Sequence, residues 1–263
     1  MNNSPIKIAI IDMYDGSPNV GMQCIDNILN NWAATISRPI EKTIFQLRDH
    51  CQVPNLNFDI YISTGGPGSP TETIHESWDQ QYVAWLDQAF QQKKWVFLIC
   101  HSFQIACRHF NIGKISLRRS RQIGILPVHP LVNDDLFEGL KDPFYTLESR
   151  YYQITEPNDK AIEAMGASII ILEKERPSVP LERAIMGVKF NSHMYGVQFH
   201  PEADPSLLDA YFTQPEVKNS MIESFGELKW KKTHHSIKDP SKVEATFSIM
   251  IPNFLNKAIK DEA

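Results

Sequence analysis

The chain has few cysteines, few consecutive apolar residues and no surplus of positive charge, and each shortage removes a class of function. Its four cysteines, Cys24, Cys51, Cys100 and Cys107, form no Cys-x-x-Cys pair and no zinc-ligand spacing. Neither a disulfide framework nor a structural metal site is therefore expected. No apolar run exceeds about five residues, as in Val96 to Cys100, against the ~18–20 that span a bilayer. The start, Met-Asn-Asn-Ser-Pro, leads straight into Ile6-Lys7-Ile8-Ala9-Ile10-Ile11, too short and too early for a signal-peptide core. Lys and Arg number 26 against 31 Asp and Glu, a net charge of −5, and no basic run is longer than the Lys229 to Lys232 cluster. Nucleic acid and membranes are not expected partners, and a reducing cytoplasm fits. Internal repeats and low-complexity segments are lacking as well.

What is present describes an ordinary globular protein: 263 residues, 42% hydrophobic and 22% charged, long enough to bury a core without staples. Short β-branched runs at 6–13, 43–47, 59–64 and 95–100 alternate with helical patterns, such as Tyr82, Leu86, Ala89 and Phe90. That alternation predicts a parallel sheet with crossover helices. From Lys114 to about Phe199 several short extended runs suggest antiparallel strands added to it. After Pro205 the pattern is helical. Val217, Met221, Phe225 and Leu228 form one stripe. Val243, Phe247, Met250, Ile251 and Phe254 form a second after an Asp239-Pro240 start, with Lys231 to Ser236 a polar connection between them. Pro252 is expected to kink or end the last helix. The chain thus divides into an α/β domain, 1–205, and a helical C-terminal extension, 206–263, packed on the same domain.

Three segments carry chemistry. Trp95 to Cys100 is a buried-type strand running into a helical pattern at His101, with a cysteine at the junction. A nucleophile there sits on a sharp turn at the carboxyl edge of the sheet, and a helix N-terminus and a nearby imidazolium favour thiolate. The plainer alternative is a small hydrophobe ending a core strand. In Val197-Gln198-Phe199-His200-Pro201-Glu202, Pro201 holds His200 extended, so His200 and Glu202 project to the same side. A carboxylate then orients the imidazole that takes a thiol proton, unless the segment is only a strand end and turn. Ser63-Thr64-Gly65-Gly66-Pro67-Gly68-Ser69-Pro70 follows a strand. Its glycines free N–H groups that could hold an oxyanion, though a tight turn would look alike. It matches neither the phosphate loop nor the dinucleotide fingerprint.

Gly65-Gly66-Pro67-Gly68, Ile99-Cys100-x-x-x-Gln104 and Gly196 to Glu202, in this order, resemble the class I glutamine amidotransferases, most of all GMP synthase-type domains, over about residues 6–205. The resemblance implies a flavodoxin-like open, mostly parallel sheet. It implies Cys100 as nucleophile, His200 as base and then acid, and Glu202 as orienting carboxylate. Backbone N–H groups of Gly66 and His101 would form the oxyanion hole, with Gln104 helping to hold the substrate; Tyr152, where the chain departs from the family, is a further candidate at the substrate. The substrate would be glutamine or another γ-glutamyl compound, with no cofactor and no metal.

The sequence also departs from the family. The elbow usually reads Gly-x-Cys-x-Gly-x-Gln, and Leu98 and Ser102 replace its glycines. Where relatives carry a His-Gly-Asp-type segment, this chain has Ser149-Arg150-Tyr151-Tyr152-Gln153. No synthetase half follows Pro205. The expected activity is therefore glutamine hydrolysis releasing ammonia for a separate synthetase chain. The alternatives are a stand-alone γ-glutamyl hydrolase or peptidase and a catalytically silent binding protein. Cys107 and Cys24 read as core, Asp12 and Asp15 as structural or rim residues, and His234-His235 as a solvated pair.

Overall fold

Ile6–Asp12 (β1) is apolar on both sides, as a strand covered by helices on both faces must be. In the computed structural model, which describes residues 4–17, 19–178 and 180–260, it leads through Gly21–Thr35 (α1) to Ile40–Gln46 (β2) and Leu47–His50 (α2). Ile60–Ser63 (β3), Ser77–Gln91 (α3), Trp95–Ile99 (β4) and His101–His109 (α4) repeat the unit. Next come Gly113–Pro130 (β5), Phe144–Pro157 (β6), Asp159–Met165 (α5), Ser168–Glu173 (β7), Ile185–Lys189 (β8) and Met194–Val197 (β9). Pro205–Phe212 (α6), Pro215–Phe225 (α7), Glu227–Ile237 (α8) and Ala245–Lys260 (α9) complete the order.

One sheet runs β2-β1-β3-β4-β9-β8-β7-β5-β6. The first five strands are parallel and the remaining pairings antiparallel. This is the mostly parallel α/β architecture expected from the alternating pattern. Period-two alternation sorts the parallel strands between two cores. Ile8, Ile10, Phe97 and Ile99 face α1 and α9, while Ala9, Ile11, Val96 and Leu98 face α3 and α4. β4, beside the middle strand of this parallel block, is buried throughout, so its carboxyl end is fixed by packing from both sides.

The C-terminal helices depart from the expected pattern in three places. The Val217 to Leu228 stripe is not one helix: Gly226, at φ +83°, separates α7 from α8 and leaves Leu228 exposed. The polar stretch Lys231 to Ser236 is helical, inside α8, where the Trp230 and His234 rings stack at 5.0 Å and His234 Nε2 meets Asp209 Oδ1 at 2.7 Å. Pro252 does not end α9, which continues to Lys260. Its interior proline costs about 3 kcal/mol, but the helix buries Met250, Ile251, Phe254 and Leu255, with Phe254 edge-on to Trp95, Phe97 and Tyr195. Burial of four large side chains, at ~1.5–3 kcal/mol each, exceeds that cost. A smaller apolar cluster of Ile125, Leu208, Phe212, Met221 and Ile237 joins α6, α7 and α8 to β5.

Candidate active site

Cys100 stands between β4 and α4 with φ +50° and ψ −95°, a conformation that costs a non-glycine residue ~1–3 kcal/mol and persists only where the surroundings impose it. They do so here. Cys100 N–H donates to Val197 O on β9 (2.8 Å), and its carbonyl accepts from Gln104 N–H (3.0 Å). Ser102 Oγ accepts from Ile99 N–H at 2.8 Å and lies 2.9 Å from the Ser63 carbonyl, tying the turn to β3. Ser102 is thus part of the turn's support. Leu98 also has a compensation: its cross-strand partner on β9 is Gly196, where a Cβ would fall 3.2 Å from the Leu98 Cβ and 2.7 Å from Phe103. The small residue sits on the neighbouring strand instead of beside the cysteine.

Gln198, buried beyond the end of β9, directs its Nε2 at Cys100 Sγ (3.7 Å) and accepts from Gln104 Nε2 (3.0 Å). Two residues on, His200 N–H donates to Leu147 O of β6 (2.9 Å), and its Nδ1 lies 2.8 Å from Glu202 Oε1. Burial opposes charge on this imidazole, but the Glu202 carboxylate, the Cys100 sulfur and hydrogen bonds to both raise its pKa well above 6.5. Glu202 is 2% exposed, and its Oε2 has no hydrogen-bond partner among the described residues.

The loop after β3 comes close to both. A Cβ on Gly65 would lie 3.0 Å from His200 Cε1 and 3.4 Å from Cys100 Cβ, and one on Gly66 would lie 2.3 Å from the Met13 carbonyl oxygen. Close approach requires glycine at Gly66, and a side chain at Gly65 would crowd His200. Thr64 Oγ1 accepts from Met13 N–H (2.9 Å), and Arg48 Nη1 donates to the Pro67 carbonyl (2.6 Å), so the loop is clamped from two sides. His101 is the first residue of α4, and its N–H has no acceptor within the helix. Gly66, Cys100, His101, Gln104, Tyr152 and His200 line one cavity of about 290 Å³, whose wall also includes Tyr14, Arg121, Ser149, Arg150 and Tyr151.

The His101 side chain is buried behind this wall against Trp78, and burial together with the Arg48 and Arg108 charges lowers its pKa to about 3. It is neutral, so the cation facing Cys100 is His200. Unfolded His101 would take up a proton near pH 6.5 while the folded group would not until about pH 3. Stability is therefore complete above about pH 6.5 and declines as pH falls toward 3. Urea unfolding should show this group costing about 2 kcal/mol between pH 7 and 5, and His101→Gln should shrink the loss over that interval. An unchanged pH dependence in the variant would refute the assignment.

A profile of the family described as glutamine amidotransferase class-I matches residues 10–219. The chain belongs to that family. No curated protein matches the sequence. Solved structures share the amidotransferase fold at low identity. A glutamine amidotransferase from Thermotoga maritima superposes with TM-score 0.72 and 11% identity, over 97% of this chain and 98% of that one. A provisionally named GMP synthase component from Thermoplasma acidophilum gives 0.58 and 15%, over 98% and 96%. The glutaminase domain of Trypanosoma brucei CTPS with bound acivicin gives 0.61 and 12%, over 97% and 94%.

Against this class I amidotransferase background, the segment Ser149 to Gln153 lies on β6. Arg150 is not free to reach a ligand. It is buried, with Nε 2.9 Å from Glu148 Oε2 and Nη2 3.2 Å from Glu173 Oε1, and Arg118 and Arg176 meet the same Glu173. Arg121 differs: it donates to Ser149 Oγ (2.9 Å) and its guanidinium lies over the Tyr151 ring (5.2 Å). Tyr152 lines the cavity, and Tyr151 is exposed. Sequence reasoning missed Arg121, Ser149, Gln198 and Tyr14. Tyr14 follows β1, its hydroxyl facing Gly21 and Gly65, where a Cβ would come to 2.1 and 3.6 Å. Burial and the nearby Glu202 and Cys100 charges raise its pKa well above 10. Cys24 and Cys107 are core residues, Asp12 caps Tyr14 N–H, and Asp15 pairs with Arg48. Among the described residues no cluster of His, Cys, Asp and Glu could hold a metal, and no helix is long and apolar enough to cross a membrane.

Proposed function

We propose that this amidotransferase hydrolyses the γ-amide of glutamine, with Cys100 as nucleophile, His200 as general base and acid, and Glu202 orienting His200. The single observation that supports it most is the strained Cys100 turn facing an imidazole whose other nitrogen is held 2.8 Å from a buried carboxylate. In this reading the thiolate adds to the γ-carbonyl carbon, and the oxyanion forms against the N–H groups of Gly66 and His101. His200 passes its proton to the amide nitrogen as the C–N bond breaks, and ammonia leaves. Water then loses a proton to His200 and adds to the thioester, releasing glutamate and regenerating the thiolate. Gln198 and Gln104 act as positioning residues that fix the sulfur.

The ammonia would serve a separate synthetase chain, and the likeness to the Thermoplasma GMP synthase component supports that arrangement. Four free thiols fit a reducing compartment. The silent alternative loses its motive, because Leu98 and Ser102 are accommodated by Gly196 and Ser63 without displacing the turn.

Intact-mass labelling with a glutamine-mimicking diazo-ketone tests the reading. One adduct is expected, absent in Cys100→Ala and slowed in His200→Ala. An adduct that survives Cys100→Ala, or no adduct while Cys100 still reacts with iodoacetamide, would overturn it.

A further inference from the structure

Arg121 reaches the cavity at Cys100 from an irregular stretch of β5. Leu117 pairs with Tyr152 and Gln122 with Arg150, so Arg118 to Arg121 stand opposite the single residue Tyr151. Of the charged side chains along that cavity, Arg150 is held by Glu148 and Glu173, and His200 by Glu202. Arg121 has no carboxylate partner among the described residues: Nη2 donates to the neutral Ser149 hydroxyl, and the guanidinium lies over the Tyr151 ring. Its Nε is enclosed without a hydrogen bond, while Nη1 is neither enclosed nor bonded. Stacking uses the face of a guanidinium and leaves the N–H groups in its plane available. Tyr151 and Ser149 thus hold a cation in place with one edge unspent, and a half-buried charge so held costs desolvation that only an anion returns.

The reaction proposed for Cys100 supplies that anion. Glutamine presents its γ-amide to the sulfur and carries an α-carboxylate at its other end, and both ends must be held in one cavity. Cys100 and Arg121 line the same one. Resting on the Cys100–His200 reading, we propose that Arg121 binds the α-carboxylate of the substrate and selects carboxylate-bearing amides over other primary amides. The carboxylate accepts from Nη1, a charge-assisted hydrogen bond. Ser149 and Tyr151 are positioning residues for the guanidinium, which gives a task to the segment where the chain departs from its relatives. The contact is the same in the ground state and the transition state, so it acts on KM and not on kcat.

The test compares three amides on the intact chain by ammonia release: glutamine; glutaramate, which keeps the carboxylate and lacks the α-amine; and 4-aminobutanamide, which keeps the amine and lacks the carboxylate. In Arg121→Met, which retains an apolar stem over Tyr151, KM for glutamine and glutaramate is expected to rise roughly 10–100-fold with kcat within about threefold, while kcat/KM for 4-aminobutanamide is unchanged. Arg121→Lys should recover part of the loss, since it restores the charge without the planar fork. The contact can also be read without turnover. The glutamine-mimicking diazo-ketone carries the α-carboxylate and iodoacetamide does not, so Arg121→Met should slow labelling of Cys100 by the first and leave labelling by the second at the parental rate. Equal losses on all three amides, equal slowing of both labels, or parental behaviour of Arg121→Met toward glutamine and the diazo-ketone would overturn this inference and leave the glutaminase reading standing. Failure of the parent to cleave any of the amides, with no diazo-ketone adduct on Cys100, would overturn both.

Discussion

Glu202→Gln is expected to lower kcat for amide hydrolysis by about 10⁴, the loss seen when the orienting carboxylate of a catalytic histidine is made neutral. The cause is electrostatic as much as geometric. Glutamine is nearly isosteric and can still reach His200 Nδ1, but it removes the negative charge that offsets the burial of the imidazole. With that charge gone, burial acts against the protonated ring, so the His200 pKa falls from well above 6.5. Imidazole titration followed by NMR should show the midpoint moving down, and the acid that must protonate the leaving nitrogen becomes scarce at neutral pH. KM should change little, since Glu202 lies behind His200 as seen from the glycine loop. A variant with parental kcat and an unmoved His200 midpoint would show that the carboxylate is structural only.

Cys100, His200 and the glycine loop were legible in the sequence as candidates because each carries a local signal. A cysteine where a buried strand meets a helix, a proline that holds His200 extended and glycines after a strand are all consequences of a few adjacent residues. The parallel core was legible for the same reason, through period-two apolar runs alternating with helical ones. The rest of the site is assembled by topology. Arg121 and Ser149 reach it from β5 and β6 at the far end of the sheet, and nothing in Arg118 to Gln122 distinguishes the arginine that faces the cavity from those absorbed by Glu173. Arg121 lies inside the register shift between Leu117 and Gln122, which is invisible in a residue pattern. The break at Gly226 was concealed by the continuous Val217 to Leu228 stripe. Leu98 shows the same limit in the other direction: read alone it crowds the cysteine, and only its pairing with Gly196 across two strands removes the conflict.

Gly66→Ala is the substitution in the loop with the largest expected effect. An added Cβ would lie 2.3 Å from the Met13 carbonyl oxygen and 3.0 Å from its carbon, and neither is the end of a flexible side chain. Met13 cannot retreat, since it is fully buried at the end of β1 and its N–H is held by Thr64 Oγ1. The loop must therefore move, and its peptide N–H swings away from the position above Cys100 that a γ-carbonyl oxyanion would occupy. Loss of one such donor typically costs about 10²–10³ in kcat. The effect should separate from damage to the nucleophile, because alkylation of Cys100 by iodoacetamide develops no carbonyl oxyanion. We expect kcat for glutamine to fall by that factor while the iodoacetamide rate stays near the parental value. Equal losses in both would assign Gly66 to packing of the β1 and β3 ends alone, and a kcat within threefold of the parent would remove the loop from the chemistry.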